Sequence, residues 1–472
     1  MVRSASFQVG SGSTRNIASG STKFLGQVQT SSLKLNTCES GKRFITDFQK
    51  KLENLEQVRI RGEYKLWIYK RYMVPSFHFA LAVNPIPETA IKKMQAAALR
   101  MIKRWLNLPR CFTTSALHHP NVIDIPSLSD FRSKAKLTFL ASISTSKDPV
   151  IEEILSILTD EDYCKNQKIQ LSSVDLLLKA RSSITTISSK TLNNYLKREF
   201  RQQVIEKHDT SLKVLSVPSK ILETAELEKS NQVWKRVLQG LPAGQMSFLL
   251  RVGTDTLPTP LNLRRWRFKT DPSCPLCSHK QPTIHHILSN CPEALHQGRY
   301  TWRHDCALKV LVKSIKEHLD SDTTLYADLP GMRASDNPLS TIPEDILITA
   351  ARPDIVLGRK EEIILIELTI PHNSFESLSN ARERKSRKET YLQALSDLEV
   401  KGLISNLYTI EIGSLGHWLP ISLRALLKSV PSITKQAARK TMDETAQKVI
   451  GASQVIFKAC LEKIWTSSCA PL

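Results

Sequence analysis

Glycine is scarce in this chain, 16 in 472 residues, about half of ordinary usage. That disfavours a turn-rich all-β fold and predicts helices. No apolar run approaches the ~18 residues that a membrane span needs. The first twenty residues are polar and Ser/Gly-rich, without the apolar centre of a secretory signal. No lipidation signal or strongly amphipathic terminal helix offers a membrane anchor. A reducing compartment is then the default, so the nine cysteines read as thiols and metal ligands rather than a disulfide framework. Acid is also in short supply: 45 Asp plus Glu face 66 Lys plus Arg, a net charge of +21. Such an excess attracts a polyanion, and nucleic acid is the expected partner, with no membrane and no small-molecule substrate.

The length predicts two to four domains. Residues 1–20 read as a disordered leader. Residues 21–130 read as a helical domain around a helix from about Glu88 to Leu106. Ile91, Met94, Ala98, Met101, Ile102 and Trp105 line one face of it, and Lys93, Arg100 and Arg104 another. By itself this is an ordinary amphipathic helix, stopped by Leu108-Pro109. Residues 131–257 carry short helical periodicities and no nameable chemistry, and read as a helical linker.

Residues 258–330 hold two features. Arg264, Arg265, Trp266, Arg267 and Phe268 alternate cations with aromatics, suited to phosphate contact and base stacking; the alternative is a basic loop whose rings simply pack. Cys274-Pro-Leu-Cys277 is followed by His286 and Cys291. A C-x2-C turn grips one side of an ion, and a His and Cys about one helical turn apart can close a tetrahedron. Three sulfurs and one imidazole suit a structural zinc. His285 is a rival for His286.

From Ile346 the texture turns to β. Ile346 to Ala350 and Ile355 to Leu357 are short apolar stretches, and Ile363 to Ile370 reads as a buried strand. A helix is expected from about Ser374 to Leu398. Arg352-Pro353-Asp354 precedes the buried strand, and Glu367 sits inside it, with twelve residues between the two acids. A carboxylate among apolar neighbours is expensive unless compensated, and Mg²⁺ is an obvious compensation. This resembles the PD-(D/E)xK nucleases, in which two acids hold metal and a lysine positions water. The usual lysine place is Thr369 here, which implies either a dead site or a cation supplied by the following helix: Lys388, with Lys385 one turn earlier as the fallback. The bland alternative for the acids is a turn cap and a paired strand carboxylate.

The order of these pieces resembles the C-terminal half of site-specific, early-branching non-LTR retrotransposon polyproteins. Ile102 to Arg110 is similar to their thumb signature, and Leu257 to Leu263 with Trp266 to the run before their zinc site. Cys274, Cys277, His286 and Cys291 resemble the zinc ligands, and Arg303-His304-Asp305 a short basic motif after them. Arg352-Pro353-Asp354 and Glu367 resemble the nuclease acids, Lys388-x2-Tyr391 the helix-borne lysine and tyrosine, and Gly413 to Gly416 a later loop. The resemblance implies an α+β multidomain protein: thumb-like and linker helices, a small CCHC zinc module and, over residues 335–425, an α/β restriction-like endonuclease, with helices over 426–472. It implies structural zinc, catalytic Mg²⁺ and a nuclear location. Its implied activity is nicking of target DNA to prime reverse transcription of the element RNA. Asp354, Glu367, Lys388 and Tyr391 would be catalytic, and Arg264, Arg265, Arg267, Arg303, His304 and Arg352 would contact nucleic acid. No paired-aspartate polymerase motif is found, so the chain is not expected to polymerise by itself. The alternative function is a catalytically silent zinc- and nucleic-acid-binding remnant.

Overall fold

The computed structural model describes residues 8–9, 12–13, 22–24, 27–29, 37–151, 153, 189–213, 236–268, 271–333 and 340–465, with short gaps near 85, 121, 144–147 and 238. The chain forms two compact units, Met1–Ser216 and Val217–Leu472. The boundary falls inside the stretch expected to be one linker. Most of the expected leader lies outside the described residues; within it Gln8–Val9 pairs with Gly12–Ser13. No described helix is long and apolar enough to cross a membrane.

The first unit is helical. Phe44, Phe48, Leu52 and Leu55 recur every three or four residues along α1 (Thr37–Gln57) and are buried. They pack against α4 (Glu88–Trp105), whose buried face carries Ala90, Ile91, Met94, Ala98, Ile102 and Trp105. Between them come α2 (Gly62–Ile68), a π-turn at Tyr69–Met73 and α3 (His78–Val83). Glu56 fastens the corner: it accepts from the Trp105 indole and from Arg104 Nη1 at 3.0 Å. α5 (Thr114–His118), α6 (Leu128–Ile143) and α7 (Ser189–Lys213) complete the bundle. Leu192 and Leu196 of α7 bury against Leu137 and Ala141, and His119 meets Asp209 at 2.9 Å. α7 therefore belongs to this bundle and not to a separate connector.

The second unit opens with α8 (Ala243–Gly253), α9 (Pro260–Arg265), α10 (Pro292–His296) and α11 (Arg299–Lys316). A four-stranded sheet follows in spatial order β1 (Thr324–Ala327), β2 (Ile355–Gly358), β3 (Glu362–Thr369), β4 (Ile404–Glu411). β1–β2 and β2–β3 are antiparallel, and β3–β4 is parallel. The parallel pair needs a crossover, supplied by α12 (Phe375–Ser386) and α13 (Glu389–Val400). α14 (Pro420–Ser429) and the long α15 (Lys435–Glu462) end the unit. Two expectations are corrected here. Ile346 to Ala350 is irregular, not a strand. The helix expected from Ser374 to Leu398 is broken at Arg387-Lys388, where Lys388 takes extended backbone (φ −65°, ψ 118°).

Gly62 sets the corner between α1 and α2. A Cβ there would sit 1.9 Å from the Trp105 carbonyl oxygen, so α2 and the end of α4 touch only because this residue has no side chain. Gly62→Ala is expected to destabilise the first unit by roughly 1–3 kcal/mol, as overpacking does, lowering its denaturant midpoint. Gly244→Ala, where nothing lies within 4 Å of the new Cβ, should be neutral or slightly stabilising for the second unit and leave the midpoint of the first unchanged.

Candidate zinc and acid sites

Both sites lie in the second unit. The zinc candidates are gathered by two local devices. Cys274 and Cys277 flank a tight turn in which Ser278 N donates to Cys274 O at 3.0 Å. His286 opens a π-turn (His286–Asn290), and Cys291 follows at the N-cap of α10. Ligand atoms of Cys274, Cys277, His286 and Cys291 all lie within 4.8 Å of one another, with Cys277 Sγ 3.2 Å from His286 Nε2. Tetrahedral zinc, at about 2.3 Å from sulfur and 2.0–2.1 Å from nitrogen, needs ligand atoms roughly 3.5–3.8 Å apart, so the group fits the ion. His285 points elsewhere: its Nε2 lies 2.8 Å from Asn290 Nδ2, and its ring meets His372 edge-on. Sequence spacing gave no sign of Cys460, a buried thiol of α15 close enough to Cys274 to hold that thiol well below its ordinary range.

The acids meet by register. Ile355 pairs with Ile366, so one step further Asp354 faces Glu367 across the β2–β3 rung, both side chains on one face of the sheet. Val356, Ile363 and Leu365 share that face and pack under Tyr391, Ala394 and Leu398 of α13. Asp354 and Glu367 are 7% and 3% exposed. Leu368 N donates to Asp354 Oδ2 at 2.7 Å. Tyr391 OH donates to Glu367 Oε2 at 2.8 Å and lies 3.1 Å from the Arg352 carbonyl. Lys385 Nζ pairs with Glu367 Oε1. Burial, and then the Asp354 charge, raise the Glu367 carboxyl above its ordinary range, against the pull of Lys385 and Tyr391.

The helix break explains which lysine arrives. At about 100° per residue, positions six apart on an unbroken helix diverge by about 120°. The kink at Arg387-Lys388 lets Lys385 of α12 and Tyr391 of α13 converge on one carboxylate. Lys388, the expected catalytic lysine, instead is exposed and lies over the Tyr391 ring, 4.2 Å from its centroid.

The basic residues divide. Arg264 and Arg267 are exposed; Arg265 pairs with Asp255 at 2.9 Å. Arg352 pairs with Asp328 at 2.8 Å, at the rim of the acid site. Arg303, expected to contact nucleic acid, is 2% exposed and cannot. Its Nη1 donates to Leu288 O at 2.9 Å and Ser453 Oγ at 3.2 Å, and burial pushes the guanidinium down to about 10. His304, partly exposed, reaches toward the acids: Nε2 is 3.3 Å from Asp354 Oδ2 and 3.1 Å from Leu368 O. Burial would lower the imidazole, but Asp305 and Asp354 outweigh it and hold it up to about 10.

Protein purified without chelator is expected to carry one zinc per chain by elemental analysis. Cys291→Ser and His286→Ala should each lose it and melt at lower temperature. His285→Ala should keep it; loss of zinc in that variant would exchange the two histidines.

Residues 219–297 match the family described as zinc-binding in reverse transcriptase. Over 343 residues the chain is 21% identical to the Retrovirus-related Pol polyprotein from type-2 retrotransposable element R2DM of Drosophila melanogaster. That alignment covers 72% of this chain and 28% of the relative. The chain thus carries a region similar to the zinc-binding domain of reverse transcriptases, and it is a weak homologue of part of a non-LTR retrotransposon Pol polyprotein.

Proposed function

We propose that the second unit is a Mg²⁺-dependent DNA endonuclease of the PD-(D/E)xK kind, acting in the nucleus within a retrotransposon polyprotein. There its nick would provide the 3′ end that primes reverse transcription of the element RNA. The observation that carries this is the facing pair of buried carboxylates, Asp354 and Glu367, with Lys385 and Tyr391 converging on one of them. Two acids side by side repel each other, as the raised Glu367 carboxyl reflects. A hard divalent cation relieves that repulsion and prefers oxygen ligands. Asp354, Glu367 and the Leu368 carbonyl oxygen would hold it. Such an ion polarises a scissile phosphate and acidifies a bound water. Lys385 would place a positive charge where the phosphorane builds negative charge. Tyr391 holds the Glu367 carboxylate in one orientation. Arg264 and Arg267, exposed beside the zinc module, would hold the DNA backbone.

A second reading rests on His304. Its Nε2 already touches Asp354 and the Leu368 carbonyl oxygen, two of the oxygens a cation would use. A protein cation at that place suits a silent binding protein. Plasmid nicking separates the two. With Mg²⁺ the wild type is expected to convert supercoiled DNA to open circles. Asp354→Ala should abolish that conversion while DNA binding persists. Lys385→Ala should slow it by roughly a hundredfold or more, and Lys388→Ala by far less. A wild type that binds DNA and never nicks it establishes the silent reading.

Binding itself is expected to weaken steeply with salt, each neutralised phosphate contributing a slope of about −0.9 in log affinity against log salt. Arg264→Ala with Arg267→Ala should flatten the slope by about two, equally for all sequences. A slope unchanged in that double variant would remove these arginines from the interface.

A further inference from the structure

We propose that a face of the first unit, made by α2 and the π-turn after it, binds single-stranded nucleic acid by stacking bases on Tyr64, Trp67 and Tyr72. The helix has an ordinary inward side: Leu66, Tyr69 and Met73 are buried. Its outward side should be polar, yet Tyr64, Trp67 and Tyr72 are 49%, 52% and 61% exposed. Three large rings left in water on adjoining turns form a surface that a partner can cover.

The backbone gathers these rings. Residues five apart on an α-helix point about 140° away from each other. The wider turn at Tyr69–Met73 brings Tyr72 back toward Trp67, and their rings meet edge to face with centroids 5.3 Å apart. Isolated π-turns of this kind are frequent at functional positions. Arg61 steadies the third ring: its guanidinium lies 4.9 Å from the Tyr64 centroid and donates to the hydroxyl at 2.7 Å.

Charge chooses the occupant. From Arg59 to Tyr72 there are five cations and one acid, Glu63. Lys65 and Lys70 are turned inward, to the carbonyls of Glu56 and Ile123. Arg59, Arg61 and Arg71 stay exposed among the rings. Arg61 pairs with Glu63 at 3.2 Å, but an apolar protein surface laid here would strip water from Arg59 and Arg71 without pairing them. A single strand offers phosphates to the arginines and unstacked base faces to the rings. A duplex keeps its bases stacked on one another and out of reach. The inference goes beyond the proposed nuclease, since this face lies in the other unit and uses neither the acids nor the zinc ligands.

The test is fluorescence anisotropy of the full chain with a labelled oligo(dT) of about 15 nucleotides and a duplex of equal length. Trp67→Ala with Tyr72→Ala is expected to weaken single-strand binding by roughly tenfold or more. Duplex affinity and the salt slope should be unchanged, and the Phe variants should bind as wild type. If the alanine pair melts the unit, Trp67→Leu with Tyr72→Leu keeps apolar bulk and removes the rings, and carries the same test. Single-strand affinity unchanged by these substitutions overturns the proposal. If sedimentation then shows that they abolish self-association instead, the face belongs to a second copy of the chain.

Discussion

A guanidinium removed from water on every side is costly unless its protons find acceptors, and Arg303 is such a group. Its Nη1 finds the Leu288 carbonyl, in the turn that begins with the zinc candidate His286, and the Ser453 hydroxyl on α15, while its buried Nε has no partner among the described residues. Ser453 in turn donates to the Ser414 carbonyl at 2.6 Å, in the loop after β4. Neighbouring His304 reaches the opposite way, to Asp354 and the end of β3. Two consecutive residues of α11 therefore join the Cys/His cluster, the C-terminal helix and the acid pair. The second unit is braced around this one helix.

The acid pair shows what such bracing permits. Carboxylates facing each other on a buried rung would relax apart or take up protons in a loose structure. Here one is held by the Leu368 amide and His304, the other by Lys385 and Tyr391. The partners come from α11, β3, α12 and α13, so no single element decides the geometry. The surrounding apolar side chains of β2 and β3 keep water away and strengthen every charge interaction there.

Much of this was legible in sequence where a local rule applies. The period of Ile91, Met94, Ala98 and Ile102 marks a helix with one buried face, and the Cys-x2-Cys spacing marks a turn that gathers two thiols. The apolar runs around Asp354 and Glu367 mark paired strands, and counting residues across their turn brings the acids to one rung. Illegible were features fixed by distant contacts. Arg303 reads as a surface cation until the Leu288 carbonyl and Ser453 enclose it. The Lys388-x2-Tyr391 spacing points to Lys388 rather than Lys385, and no Gly or Pro announces the break at Arg387-Lys388. Ile346 to Ala350 has strand composition, but the sheet takes Thr324–Ala327 as its edge. Cys460 carries no spacing signal at all.

The position of Cys460 governs the order in which the unit can be finished during synthesis. It lies 186 positions after Cys274, on a helix that packs against the His286–Asn290 turn. At about 5–20 residues per second, a ribosome exposes Cys274 roughly 10–40 s before the helix that walls it in. Through that interval the thiols face water on the side α15 will cover, and Arg303 waits for Ser453. A nascent chain can therefore gather the four candidate zinc ligands early, while the Arg303 end of α11 is fixed only when the last helix docks.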